Sequence, residues 1–71
     1  MASEIVAEMV ANVLSVAVEP GDWVAEGDTI VVLESMKMEI PVLTEFPGTV
    51  SELRVSAGDV VQEGDVLAVV T

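Results

Sequence analysis

Val18-Glu-Pro-Gly-Asp-Trp-Val-Ala-Glu-Gly-Asp-Thr-Ile-Val-Val-Leu33 returns 37 residues later as Val55-Ser-Ala-Gly-Asp-Val-Val-Gln-Glu-Gly-Asp-Val-Leu-Ala-Val-Val70. Carried outward to Ala11 and Glu34, the copies agree at Val13, Val18, Gly21, Asp22, Val24, Glu26, Gly27, Asp28 and Val32. Agreement concentrates in Gly-Asp pairs. Glycine reaches positive φ without a Cβ penalty and aspartate can bond back to its own backbone, so turn geometry itself is duplicated. Each copy then reads as a strand (Val13 to Val18; Val50 to Val55), a Gly-Asp turn, a short Trp23-Val24 or Val60-Val61 segment, a Glu-Gly-Asp turn and an apolar strand (Thr29 to Leu33; Val66 to Val70). Two copies are too few for a solenoid or a propeller. They imply two β-units related by a pseudo-twofold axis that cover each other's edges and share one core.

The composition around the repeat agrees with this. Val occurs 16 times, Ile 3 and Thr 4 among 71 residues, a density of β-branched side chains that favours pleated strands. Ile5, Met9, Val13 and Val16 are spaced as on a helix, but that stretch carries the same β-branched bias and no cap signal, so it reads as strand. One all-β domain over residues 1–71 follows. With no Cys and no His, disulfides, thiolate or imidazole metal sites and Cys or His nucleophiles are excluded. A net charge of −11 argues against a nucleic-acid backbone and against anionic membrane surfaces as partners. No apolar run approaches the length of a membrane span, which leads to the expectation of a soluble, cytoplasmic protein. The acid-rich turns lack the Asp-x-Asp-x-Asp spacing of a calcium loop, and no pair of carboxylates is placed for acid–base work, so neither a metal site nor catalysis is expected.

The duplication does not extend to the joining segment, Glu34-Ser-Met-Lys-Met-Glu-Ile-Pro41. It holds Lys37, the only lysine, between the strand ending near Leu33 and the return through Ile40 to Leu43, hence at a hairpin tip. A lone lysine is usually a solvated turn residue; its uniqueness and its setting point further. An ordinary lysine amine, with a pKa of about 10.4, is almost wholly protonated near neutrality, so acylating it calls for an enzyme. Met36 and Met38 can be read as core filling or as exposed recognition elements, and the second reading is adopted. Glu34 reads either as a solubilising charge or as a contact for a modifying enzyme. Trp23 is expected to pack.

Glu34-Ser-Met-Lys-Met-Glu-Ile between two Gly-Asp copies resembles the Met-Lys-Met signature of the biotinyl attachment domain of biotin carboxyl carrier proteins. The resemblance runs from about Met9 onward and includes Phe46-Pro-Gly-Thr-Val50. It implies a barrel-sandwich hybrid, a flattened β-barrel of two four-stranded antiparallel sheets with Lys37 on a protruding hairpin. It further implies that a biotin protein ligase attaches biotin to Lys37 Nζ, with Met36 and Met38 recognised by ligase or carboxylase and Glu34 and Ser35 as ligase contacts. The non-catalytic carrier then serves a biotin carboxylase and a carboxyltransferase, in a setting such as acetyl-CoA carboxylase and fatty acid biosynthesis, with the domain itself monomeric. Two departures stand out: Ser35 replaces the usual alanine, and Met9-Val-Ala-Asn-Val13 occupies the place of a common Pro-Gly turn, where Asn12 is expected to supply the unusual backbone angle. Nothing is long enough for a protruding thumb beside the biotin. The rivals are a lipoyl domain of a 2-oxo-acid dehydrogenase complex, whose lysine is flanked by Asp and usually Ala, and an unmodified interaction module.

Overall fold

The computed structural model describes residues 2–71. Eight strands follow one another: β1 (Ser3–Val6), β2 (Ala11–Val16), β3 (Trp23–Val24), β4 (Thr29–Ser35), β5 (Met38–Leu43), β6 (Gly48–Leu53), β7 (Val60–Val61) and β8 (Val66–Val70). They form two four-stranded antiparallel sheets, ordered β1-β8-β6-β3 and β5-β4-β2-β7. Advancing β2, β3 and β4 by the repeat interval lands on β6, β7 and β8, and stepping β5 back by it lands on β1. Each sheet is therefore the symmetry image of the other, strand for strand. The repeat reaches one strand further than the aligned sequence showed, because β1 answers to β5 with little residue identity.

Irregularities are duplicated too. The ladder skips a residue between Val13 and Ser15 against β4, and again between Val50 and Glu52 against β8. It skips between Thr29 and Val31 against β5, and the image of that bulge separates β1 from β8 at Ile5/Val6. A bulge breaks strict alternation, which lets consecutive residues such as Ile30 and Val31, or Leu67 and Ala68, all face the interior. The core is accordingly a list of equivalents: Val13 and Val50, Val24 and Val61, Ile30 and Leu67, Leu33 and Val70 are all buried.

The Gly-Asp turns explain how two halves become one barrel. In each, the aspartate N–H donates to the carbonyl three residues earlier while its Oδ2 accepts the N–H of that same residue, at 2.9 Å in all four turns. A glycine with φ between 90° and 96° occupies the position of each turn where a type II geometry requires it. The turn then reaches across to the other copy. Gly21 N–H donates to Val50 O and Val50 N–H donates to Asp22 O, both at 2.8 Å. The image pair is Gly58 N–H to Val13 O and Val13 N–H to Asp59 O. The second turn of each copy grips Thr44 or Ala7 in the same way, through Gly27 with Asp28 and Gly64 with Asp65. All four gripped residues are buried, so backbone groups that water cannot reach are satisfied by the turns. Thr44, the only buried polar residue among the described ones, closes its own turn by donating to Phe46 O and accepting from Phe46 N–H.

Some sequence expectations shift. The strands read as Val13 to Val18 and Val50 to Val55 begin and end two residues earlier, and β4 continues past Leu33 to Ser35. The stretch with helical spacing is not a helix: Ile5 lies in β1, Val13 and Val16 lie in β2, and Met9 sits in the bend between them. Asn12 does not supply a left-handed angle: only Met36 and Lys37 do so among the described non-glycine residues, and Asn12 lies inside β2, paired with both Glu34 and Val60. Trp23 does not pack into the core. It is 68% exposed on an edge strand of two residues, where alternation gives the inward position to Val24.

Candidate functional site

The β4–β5 ladder keeps register from Leu33↔Ile40 through Glu34↔Glu39 to Ser35↔Met38. Two residues, Met36 and Lys37, remain to reverse the chain, and both are left-handed, with φ of 53° and 64°. That is the type I′ hairpin, whose twist matches the twist of the strands it joins and which normally draws Asn and Gly. A left-handed backbone costs a side-chain-bearing residue roughly 1–2 kcal/mol. No glycine or asparagine relieves it here. The conformation persists because the two-residue connection and the paired strands below leave no alternative.

This turn fixes the display of the site. Lys37 is exposed at the tip and takes part in no ion pair among the described residues; the only such pair there is Arg54 with Glu52. Met36 is 88% exposed and Met38 59%, so neither fills the core. Met36 stands in the turn, outside strand alternation, and Met38 continues the inward-facing row of Leu33 and Ile40 past the end of the core. Glu34 and Glu39 face each other on the outer side, a like-charge pair that a ladder carries at a cost of a few tenths of a kcal/mol or more. Ser35 is half-buried, a small side chain paired with Met38 at the last pair before the turn. The tip is thus one cation raised above two carboxylates and framed by two thioethers.

The residues singled out in the sequence come together on one hairpin: Glu34 and Ser35 end β4, Met36 and Lys37 turn, and Met38 opens β5. What the sequence did not disclose is the left-handed pair. The signal was available only in the pairing of Leu33 with Ile40, which leaves two residues for the turn once the strands are zipped to their ends. Lys37 is exposed, so its amine is open to an enzyme. These residues fit a covalently attached group.

The family described as "Biotin-requiring enzyme", a biotin/lipoyl family, matches residues 1–70. The biotinylated protein TB7.3 homolog of Mycobacterium leprae is 55% identical over 71 residues, covering 100% of both chains. Among solved structures, the Kluyveromyces lactis urea carboxylase matches with a TM-score of 0.93 and 30% identity, over 100% of this chain and 6% of that one. The lipoyl domain of the 2-oxoglutarate dehydrogenase complex from Azotobacter vinelandii matches with a TM-score of 0.74 and 31% identity, over 87% of this chain and 78% of that one. The chain spans the full length of the mycobacterial relative but only a small part of the urea carboxylase. The two sheets form the flattened barrel-sandwich shared with these domains.

Proposed function

The chain belongs to the biotin-requiring family of biotin/lipoyl attachment domains, and on that premise we propose that Lys37 is biotinylated and that the domain carries carboxylate between a biotin carboxylase and a carboxyltransferase. The observation that carries the reading is the sole lysine standing exposed on a two-residue turn between two exposed methionines. A biotin protein ligase forms the amide: a bond is made from Nζ to the activated acyl carbon, the acyl–phosphate bond breaks with loss of AMP, and the amine releases a proton. Met36 and Met38, with Glu34 and Ser35 at the strand end, are the surface such a ligase would touch. Biotin supplies a ureido nitrogen that accepts and gives up carboxylate. The domain contributes position: a long side chain on a rigid hairpin confines its cargo near each enzyme in turn, which raises the local concentration without any new contact.

A carboxylase of the acetyl-CoA carboxylase type, working in fatty acid biosynthesis in the cytoplasm, is the proposed setting, with the domain acting as a monomer. The lipoyl rival is supported by the match to a lipoyl domain and by a family that spans both kinds of attachment. The flanks oppose it, since Met36 and Met38 stand where Asp and Ala are usual in that class. Intact mass tests the proposal. Protein produced with biotin ligase and biotin gains one biotinyl group, and Lys37→Arg gains none. A lipoyl gain instead, or no gain with either ligase, overturns the assignment.

A further inference from the structure

We propose that the groove between β1 and β5 is a docking site for an extended, alternately apolar and basic segment of a partner protein, which adds as a further strand to the free edge of β1. The groove, about 310 Å³, lies on the pseudo-twofold relation between the sheets: its walls pair Ile5 with Val42, Val6 with Leu43 and Met9 with Phe46. Several of these side chains stay uncovered, with Val6, Met9, Leu43 and Phe46 between 36% and 48% exposed. A cluster of half-exposed large apolar groups around one cleft is the mark of an interaction surface, whereas scattered ones are ordinary.

The edges decide how it is filled. β1 and β5 both end their sheets, and among the described residues each pairs with one neighbour. On β5, Pro41 removes a donor, and a proline in a paired edge strand turns its missing N–H outward, which blunts that edge against further pairing. Ser3–Val6 contains no proline and no lysine, so β1 keeps an open row of donors and acceptors. An extended segment hydrogen-bonded there sends alternate side chains into the cleft, and four residues of β1 match a segment of about 13 Å.

Charge selects the partner. Glu4, Glu8 and Glu45 line the groove, and no basic residue does among the described ones. A second copy of this chain, itself at −11, would bring carboxylates against carboxylates, whereas a segment carrying Lys or Arg is drawn in. Docking here grips the base of the hairpin that carries Lys37. Ile40 lies three residues from that lysine, two strand steps, about 7 Å, beyond the start of β5 at Met38, so the tip stays free. The inference stands apart from any modification of Lys37.

The test pans a phage-displayed library of random linear heptapeptides against the full chain, unmodified and as the Lys37→Arg variant. Enriched peptides are expected to alternate apolar with Lys or Arg and to bind both forms alike. They should shift the amide resonances of Ser3–Val6, Ile40, Val42, Leu43 and Phe46, and slow hydrogen exchange along β1. Phe46→Glu and, separately, Met9→Glu should weaken binding at least tenfold, and Glu8→Lys with Glu45→Lys several-fold. Both apolar positions are partly exposed, and a dispersed amide spectrum verifies that each variant is folded. The proposal is overturned if enrichment does not exceed that on Phe46→Glu, if the peptides are acidic, if their shifts map elsewhere, or if sedimentation shows the chain occupying its own groove as a dimer.

Discussion

Four Gly-Asp turns and the Met36-Lys37 turn reverse the chain through the same positive-φ territory by opposite means. The Gly-Asp turns use residues to which the conformation comes cheaply, and each spends its aspartate on closing its own loop. At the tip no such residue is present, and the strain is held by the ladder beneath it. Turns that join the halves are built for stability, while the turn that displays the amine keeps long side chains where glycine would fold more easily. The difference separates what the sequence spends on folding from what it reserves for recognition.

The largest effect is expected at Gly48, the one positive-φ glycine outside the four turns. A Cβ there would sit 2.6 Å from the Thr71 carbonyl oxygen and 2.9 Å from a Val70 methyl. Gly48→Ala is expected to cost about 2–3 kcal/mol, since backbone has to move. Urea denaturation reads this, and an unchanged midpoint would remove the close approach from the account. Gly27→Ala comes next. Among the described residues nothing lies within 4 Å of that Cβ, so the loss isolates backbone strain, about 1–2 kcal/mol. A loss well below that range would mean that the Gly-Asp turns owe their glycines to something other than φ.

At the tip the sign reverses. Met36→Asn substitutes a residue at ease in a left-handed turn and should raise stability by roughly 0.5–1 kcal/mol while slowing ligation, measured as initial rate of biotin incorporation. Stabilisation without slower ligation would leave the strain but take away its recognition purpose. Smallest in stability is Met36→Leu with Met38→Leu, expected within about 0.5 kcal/mol because both side chains are exposed. Its effect belongs in the kinetics of biotinylation or carboxyl transfer, and unchanged rates in both would deny the thioethers a role.

The duplicated β-unit, its Gly-Asp turns and the singular lysine between the copies are legible in the residues alone, because each rests on residue types whose local chemistry is the same in any surroundings. Aspartate closes a turn on its own backbone, and β-branched runs extend, wherever they fall. The rest depends on how the strands pair and pack. Trp23 faces solvent because its strand lies at an edge and the core side is taken by Val24. β1 proved to be the image of β5 because sheet position, with scarcely any residue identity, makes them equivalent. Val13, Val50, Thr44 and Ala7 are gripped by turns of the opposite copy, a pairing between residues far apart in the chain. The left-handed backbone of Met36 and Lys37 has the same origin: neither residue favours it, and the strands on either side impose it by pairing to their last residues.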